Sequence, residues 1–286
     1  MAEIGIVMMT RNRRARALAT LDRLALLPER PPIVVVDNGS SDGTPAAILR
    51  RHPRVRLLRL DRNAGAAART LGVRALRTPF TAFSDDDSWW EPGALERATG
   101  VFAARPSLAL LQARILVGGE ARLDPTCAAM RRSTVPAGPG LPGPAVLGFV
   151  ACGAVVRSNA FLHAGGFHPR LGIGGEEELL ALDLAAHGWE LAYVDSVVAH
   201  HHPDGADGRP GRSERLLRNA LWTAWLRRRL PGALARTAAL AASAAREHRL
   251  TALTEAARGL PWILRERRPL PRRLERIAKG LTLPEE

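Results

Sequence analysis

The chain has 286 residues, 46% hydrophobic and 24% charged, which is the balance of a folded globular protein rather than a disordered or fibrous one. Two cysteines, Cys127 and Cys152, make no disulfide framework and no CxxC metal spacing, so a reducing cytoplasmic setting is expected. The net charge of +13 is uneven: residues 1–205 carry 23 basic and 20 acidic groups (+3), whereas residues 206–286 carry 18 and 8 (+10).

The first residues run directly into a short apolar segment with no signal-peptide pattern. Residues 4–9, 33–36, 55–60 and 80–84 are apolar runs bounded by turn residues or charges, and they predict buried strands. Residues 14–27, 44–51 and 64–77 between them have helical composition and period. This β-α-β-α-β order predicts a parallel, doubly wound sheet, whose sites lie at the carboxyl ends of the strands. A helix is expected over 91–104, opened by Glu91-Pro92, and a strand over 108–117. Residues 125–144, rich in Pro, Gly and Arg, read as one long loop. A strand over 149–156, a helix over 176–187 and a strand over 190–198 follow, the last ending in His200-His201-His202. From 213 onward the pattern is helical, broken by prolines. No stretch is long and apolar enough to span a membrane, since residues 232–245 are Ala-rich, short and interrupted by Arg236.

Four segments carry candidate chemistry. Strand 33–36 delivers Asp37 into the turn Asn38-Gly39-Ser40-Ser41-Asp42-Gly43, where a carboxylate can accept hydrogen bonds from a base or ribose. The plainer alternative is that Asp37 and Asp42 form turns and cap the next helix. Asp85-Asp86-Asp87 follows a buried strand, and three adjacent carboxylates repel one another unless a cation such as Mg²⁺ or Mn²⁺ offsets the charge. Alternation along an extended segment would send Asp85 and Asp87 one way and Asp86 the other. Glu176-Glu177-Glu178 opens a helix, where acidic residues suit the macrodipole, and one of them can also serve as a general base. His200 to His202 ends a strand on the presumed site face, where neutral imidazole is a metal ligand.

Taken in order, these segments resemble the family 2 glycosyltransferases. The resemblance runs through residues 4–13, the Asp37–Thr44 turn, Asn63-Ala64-Gly65 to Gly72, Asp85-Asp86-Asp87 with Pro92-Gly93-Ala94-Leu95, Gly165-Gly166-Phe167, Gly175-Glu176-Glu177 and His200. It implies a GT-A fold: α/β, Rossmann-like, with a mostly parallel central sheet flanked by helices, and here a C-terminal helical extension. It implies that Asp37, with Thr10 and Arg11, holds the nucleoside, and that Asn63 and Arg69 lie near the sugar-diphosphate. Asp85 and Asp86 would meet ribose and sugar. Asp87 and His200 would bind Mn²⁺ or Mg²⁺ on the diphosphate. Glu177, with Glu176 as its competitor, would be the base of an inverting transfer to an acceptor hydroxyl. Three residues depart from the family's pattern: Leu179 where Asp is common, Asp183 where Arg is common, and Thr70 where Asn is common.

An NAD-dependent dehydrogenase is excluded because Thr10-Arg11-Asn12-Arg13-Arg14 stands where G-x-G-x-x-G would be required. Nucleic acid is not the expected partner, since aromatic residues are 5% of the chain and no nucleic-acid-binding motif is present. A non-catalytic nucleotide-sugar-binding relative is the alternative to an enzyme, and Asp87, Glu177 and His200 argue against it. The chain thus divides into a catalytic domain over 1–205 and a basic helical extension over 206–286. The expected partners are a UDP- or dTDP-sugar and a glycan or lipid-linked acceptor. In the extension, Trp262-Ile263-Leu264 beside Arg265, Arg267 and Arg268 reads as an interfacial segment, so the protein is expected on the inner face of an anionic membrane. A helical cap on the domain is the alternative for that tail.

Overall fold

The computed structural model describes residues 2–203, 211–247 and 249–280. The strands are β1 (Ile4–Thr10), β2 (Ile33–Asp37), β3 (Arg56–Arg59), β4 (Phe80–Asp85), β5 (Ser88–Trp90), β6 (Leu108–Val117), β7 (Arg122–Leu123), β8 (Ala154–Arg157) and β9 (Glu190–His201). The helices of the sheet-bearing part are α1 (Arg14–Ala25), α2 (Thr44–Arg51), α3 (Ala67–Leu76), α4 (Ala94–Ala104), α5 (Pro125–Arg131), α6 (Ser158–His163) and α7 (Glu176–Ala186). The extension supplies α8 (Arg212–Arg227), α9 (Leu230–Arg246), α10 (Leu250–Arg258), α11 (Leu260–Glu266) and α12 (Arg272–Gly280).

One sheet runs in the order β3-β2-β1-β4-β8-β6-β9-β5, with β7 beside β6. Its first four strands are parallel. Beyond β4 it is mixed: β8 is antiparallel to both β4 and β6, β9 is parallel to β6, and β5 is antiparallel to β9. The continuous apolar runs of β1 and β2 follow from burial on both faces. Val7, Val34 and Val36 face one core cluster with Phe83 and Leu110, whereas Ile6, Met8 and Val35 face another with Ala82 and Leu111.

Several local expectations change. Residues 125–144 are not wholly loop, because Asp124 caps α5 with hydrogen bonds from the amides of Thr126 and Cys127, and Pro125 occupies its first turn. The strand expected over 149–156 starts only at Ala154, after a 3₁₀ turn over Ala151–Gly153. β5 is too short to leave a periodic signal, and pairing with β9 defines it.

The extension closes over α7. Leu171 and Leu179 pack with Leu217, Leu221, Trp222, Leu226 and Ile263, while Leu182 packs with Leu270 and Ala278. Asp183 pairs with Arg227 of α8, whose Nη2 donates to Asp183 Oδ2 at 2.9 Å. Two departures from the family's pattern, Leu179 and Asp183, therefore bind α7 to the extension. The third, Thr70, accepts a hydrogen bond from the buried Phe167 amide at 3.0 Å.

Candidate functional site

The carboxyl ends of β1, β2 and β4 bring three chain segments together, as a parallel sheet requires. Asp37 ends β2 and is fully buried. Its Oδ2 accepts from the Ser40 amide at 3.2 Å, while its Oδ1 is buried without a hydrogen-bond partner. A buried acceptor of that kind is costly unless something donates to it. Beside it, Asn38 Nδ2 donates to Gly65 O at 3.1 Å and Asn38 Oδ1 accepts from the Ala64 amide at 2.7 Å, tying the β2 turn to the start of α3. Asn63 is exposed, and its Oδ1 accepts from the Gly65 amide at 2.9 Å. Arg11 is exposed at the rim.

The acidic triplet does not alternate as expected, because β4 ends at Asp85 and a turn over Asp86 and Asp87 leads into β5. Asp85 accepts from Arg69, whereas Asp86 and Asp87 both accept from Arg13 Nη1, at 2.7 and 3.0 Å. Thr10 Oγ1 adds a 2.8 Å hydrogen bond to Asp86 Oδ2. Burial pushes the Asp86 carboxyl up to about 7, against the opposing pull of Arg13 and Thr10. Asp87 goes the other way: burial would raise it, but the His201 ring and Arg13 outweigh burial and lower it.

The histidine facing this cluster is His201, whose Nε2 lies 3.4 Å from Asp87 Oδ1. The sequence points to His200 at this place, whereas in the structure the neighbouring His201 is the one that faces Asp87. His200 and His201 are neighbours on an extended strand and point to opposite sides. His200 stacks on Trp89 at 5.5 Å between ring centroids, and Arg23 lies over the same indole at 3.7 Å. Among the described residues no three His, Cys, Asp or Glu side chains converge as a complete cation ligand set. Asp87 and His201 offer one carboxylate oxygen and one imidazole nitrogen, donor types that Mn²⁺ accepts.

The glutamate pair sits at the N-terminus of α7. Glu176 is buried and its Oε2 accepts from the Gly174 amide, while Glu177 is half-buried. Burial, and then the neighbouring Glu176, push Glu177 up to about 8. Burial also raises Glu176, against the pull of Arg69. Arg69 connects the two acidic groups. Only 4% exposed, it bonds Asp85, and the carboxylates of Asp85, Glu176 and Glu177 overcome burial and raise its pKa. Its Nε and Nη1 are buried without hydrogen-bond partners. Sequence reasoning missed Arg13 as the counter-charge of the triplet. The only signal was its place just past the end of β1.

The sequence profile of glycosyl transferase family 2 matches residues 5–161, more than half of the chain. An N-acetylglucosaminyl-diphospho-decaprenol L-rhamnosyltransferase of Mycobacterium tuberculosis is 28% identical over 227 residues, 66% of this chain and 72% of that protein. The pre-mycofactocin glycosyltransferase of the same organism is 33% identical over 178 residues, 59% of this chain and 37% of that protein. Among solved structures, the mannosyltransferase PcManGT of Pyrobaculum calidifontis, in complex with GDP-Man and Mn²⁺, superposes with a TM-score of 0.58 at 19% identity, covering 92% of this chain and 80% of that one. Residues 1–349 of S. aureus TarS, in complex with UDP-GlcNAc, give 0.60 at 15% identity, covering 78% of this chain and 66% of that one. Both likenesses establish the fold, which is GT-A. With that fold, the acidic strand ends and the profile match, the chain belongs to glycosyl transferase family 2 and is a glycosyltransferase.

Proposed function

We propose that this glycosyltransferase moves a sugar, with inversion, from a UDP- or dTDP-sugar to a hydroxyl of a glycan or lipid-linked acceptor, with Mn²⁺ or Mg²⁺ on the diphosphate. The observation that carries the reading is the convergence of Asp37, the Asp85–Asp87 turn and the Glu176–Glu177 pair, with Arg69 between the last two. In this reading Asp37 Oδ1 accepts an N–H from the nucleobase, and Thr10 and Arg11 flank the nucleoside. Asn63 and Arg69 lie toward the sugar-diphosphate. Asp85 and Asp86 meet the ribose and the sugar, since a carboxylate can accept hydrogen bonds from their hydroxyls with lone pairs beyond those already used.

Asp87 and His201 hold the cation, which when bound neutralises charge on the departing diphosphate. Glu177 takes the proton of the acceptor hydroxyl, with Glu176 as its competitor. Its pKa of about 8 is close enough to neutrality for a group that must pick up a proton and release it to water. The acceptor oxygen bonds the anomeric carbon on the face opposite the leaving diphosphate. The bond to that diphosphate breaks, and one displacement inverts the centre. The lipid-linked acceptor is supported by the Mycobacterium tuberculosis relative, whose name specifies a diphospho-decaprenol acceptor.

The domain division over 1–205 and 206–286 belongs to the same proposal, and its boundary lies among residues 204–210, outside the described residues. Attachment to an anionic membrane does too, but through a different surface from the one the sequence points to. Trp262 packs edge-on against Trp222 at 5.2 Å and stacks with His168 at 5.2 Å, which occupies the aromatic body an interfacial anchor needs. The outward positions of α9 are instead Leu230, Leu234, Ala235, Ala238, Ala239, Ala242 and Ala245, with Arg229 before and Arg246 after them. No helix among the described residues is long and apolar enough to cross a membrane.

Titration with UDP-, GDP- and dTDP-sugars, each with Mn²⁺ and with chelator, tests the donor and the metal together. Binding of one nucleotide class that strengthens with Mn²⁺, with the gain removed by Asp87→Ala, is the expected result. Equal affinity with metal and with chelator removes the cation from the proposal.

A further inference from the structure

We propose that Asn219 of α8 is a positioning residue for the glutamate pair, so that the helical extension is part of the catalytic machinery. The inference rests on the reading of Glu177 and Glu176 as the acceptor-side base.

The loop before α7 is Leu171-Gly172-Ile173-Gly174-Gly175. Gly172, Gly174 and Gly175 have φ of 73°, 107° and 82°, three left-handed residues within four positions. Glycine loses more backbone freedom on ordering than any other residue, so such a loop stays in one conformation only if its neighbours hold it. It is held from two sides. From α3, the Ala66 amide donates to Gly172 O at 2.8 Å, and the backbones approach so closely that a Cβ on Gly65 would lie 2.6 Å from Gly172 Cα. From α8, Asn219 Nδ2 donates to Leu171 O at 2.8 Å and to Gly174 O at 2.5 Å. The Gly174 amide donates in turn to Glu176 Oε2. One residue thus takes the clamp on its carbonyl and passes a hydrogen bond to the glutamate pair from its N–H.

Packing alone does not account for Asn219. It is fully buried, and its flanks in α8, Leu217 and Leu221, belong to an apolar cluster with Leu171 and Leu179. An amide in such surroundings is unfavourable unless its donors and acceptor are used, whereas leucine there would bury apolar surface without that requirement. All the capacity of this amide is directed: Nδ2 to the two loop carbonyls, and Oδ1 to Arg218, whose Nε and Nη2 donate at 3.1 and 3.0 Å. Arg218 also fixes which end of the amide faces the loop, since only the NH₂ end can donate to carbonyls. The extension therefore sets the backbone from which Glu176 and Glu177 project.

The test is Asn219→Leu in the full chain, near-isosteric and without donors, with Asn219→Ser, which keeps one donor, as the milder variant should the first fold poorly. Two readouts are taken: amide hydrogen exchange over residues 171–176, and kcat against donor KM for transfer. The expected result is faster exchange confined to that loop and to Ala66. With it, kcat should fall on the order of 10- to 100-fold in Asn219→Leu, and less in Asn219→Ser, as misplacement of a reacting group by about 1 Å would give, while donor KM stays within about twofold. Unchanged loop exchange overturns the proposal, and so does faster exchange with kcat retained. Should the unmodified protein transfer no sugar with any donor, the reading of the site fails, and loop exchange alone decides the clamp.

Discussion

The two acidic groups of the site are assembled by different parts of the molecule. Asp86 and Asp87 stand at the end of β4, and their counter-charge, Arg13, comes from the turn after the adjacent parallel strand β1. Most of what positions them lies in the first ninety residues or so; β9 adds His201 and the His202 amide, which donates to Asp87 O at 2.8 Å, and sheet pairing brings these segments together. Glu176 and Glu177 stand beyond a glycine loop that is held by the Ala66 amide and Asn219 rather than by strand pairing. Their counter-charge comes from α3, their backbone support from α8, and the helix they open is covered by apolar side chains of the extension. The first group is fixed by topology and the second by packing. Substitutions in the two regions should therefore fail differently: in the first through ligand affinity, in the second through turnover and stability.

The largest expected effect is at Glu177. Glu177→Gln keeps the shape and removes the proposed base, so transfer should fall about 10²- to 10⁴-fold while nucleotide titration is unchanged. If Glu176→Gln is inactive and Glu177→Gln is not, the roles are exchanged within the pair. The pH profile sharpens the assignment. The Glu177 carboxyl has an ordinary value of 4.5 and is held at about 8 in the fold, facing Glu176 and Arg69. Its basic form is gained as pH rises through about 8, so kcat/KM of the wild type should climb over that range and the climb should vanish in Glu177→Gln. Linkage has the opposite sign: the folded state holds the extra proton between 4.5 and about 8, so stability from this group falls as pH rises across that window. Denaturant midpoints at pH 5 and pH 8 for wild type and Glu177→Gln measure it.

Next is the seam between α7 and the extension. Arg227→Met removes the guanidinium that faces Asp183, with both side chains largely buried, and leaves a carboxylate without its partner. The expected loss is about 3 kcal/mol in denaturant unfolding, with nucleotide binding at the first acidic group unchanged. A loss below about 0.5 kcal/mol would place this pair among ordinary surface bridges.

The histidines separate the two regions on the metal side. His201→Ala should weaken metal-assisted nucleotide binding by about tenfold or more, whereas His200→Ala, which loses only its stack on Trp89, should leave it unchanged. Calorimetric titration with and without Mn²⁺ distinguishes them, and the reverse result restores the assignment made from the sequence. The smallest effect is at Thr70→Val. This change leaves the buried Phe167 amide without its acceptor at about 1–2 kcal/mol, read as a shift in thermal midpoint with kcat retained.

What could be read in the sequence follows this division. β1, β2 and β4 were legible because each is buried along nearly its whole length, β3 as a short apolar run between charges, and the helices because each shows its own period, all of which are local properties. The place of Asp37 and Asp85 to Asp87 at the carboxyl end of the sheet was legible because each follows a buried apolar strand. Arg13 was not, since nothing in Thr10-Arg11-Asn12-Arg13-Arg14 says which arginine turns inward. The turn that sends Asp86 and Asp87 to the same guanidinium was hidden as well, because alternation holds only while the strand continues.

On the acceptor side the sequence by itself determined that three glutamates open a helix behind two glycines, and that the last eighty residues are helical and basic. Only the tertiary structure decided that Leu179 and Asp183, departures from the family's pattern, are the contacts that receive α8. It alone brought Asn219 onto carbonyls 45 and 48 residues earlier, and turned Trp262 inward against Trp222 and His168. The physical reason is range. Periodicity, capping and turn chemistry act over a few residues and are written locally, whereas a buried amide, an ion pair across a helix seam or the side of a strand beyond an irregular register depends on which distant surface arrives. Which of His200 and His201 faces Asp87 is of this last kind: the family's pattern pointed to His200, whereas β9 carries a register irregularity against β6 between Val194 and Val198 that resets which side its later residues face.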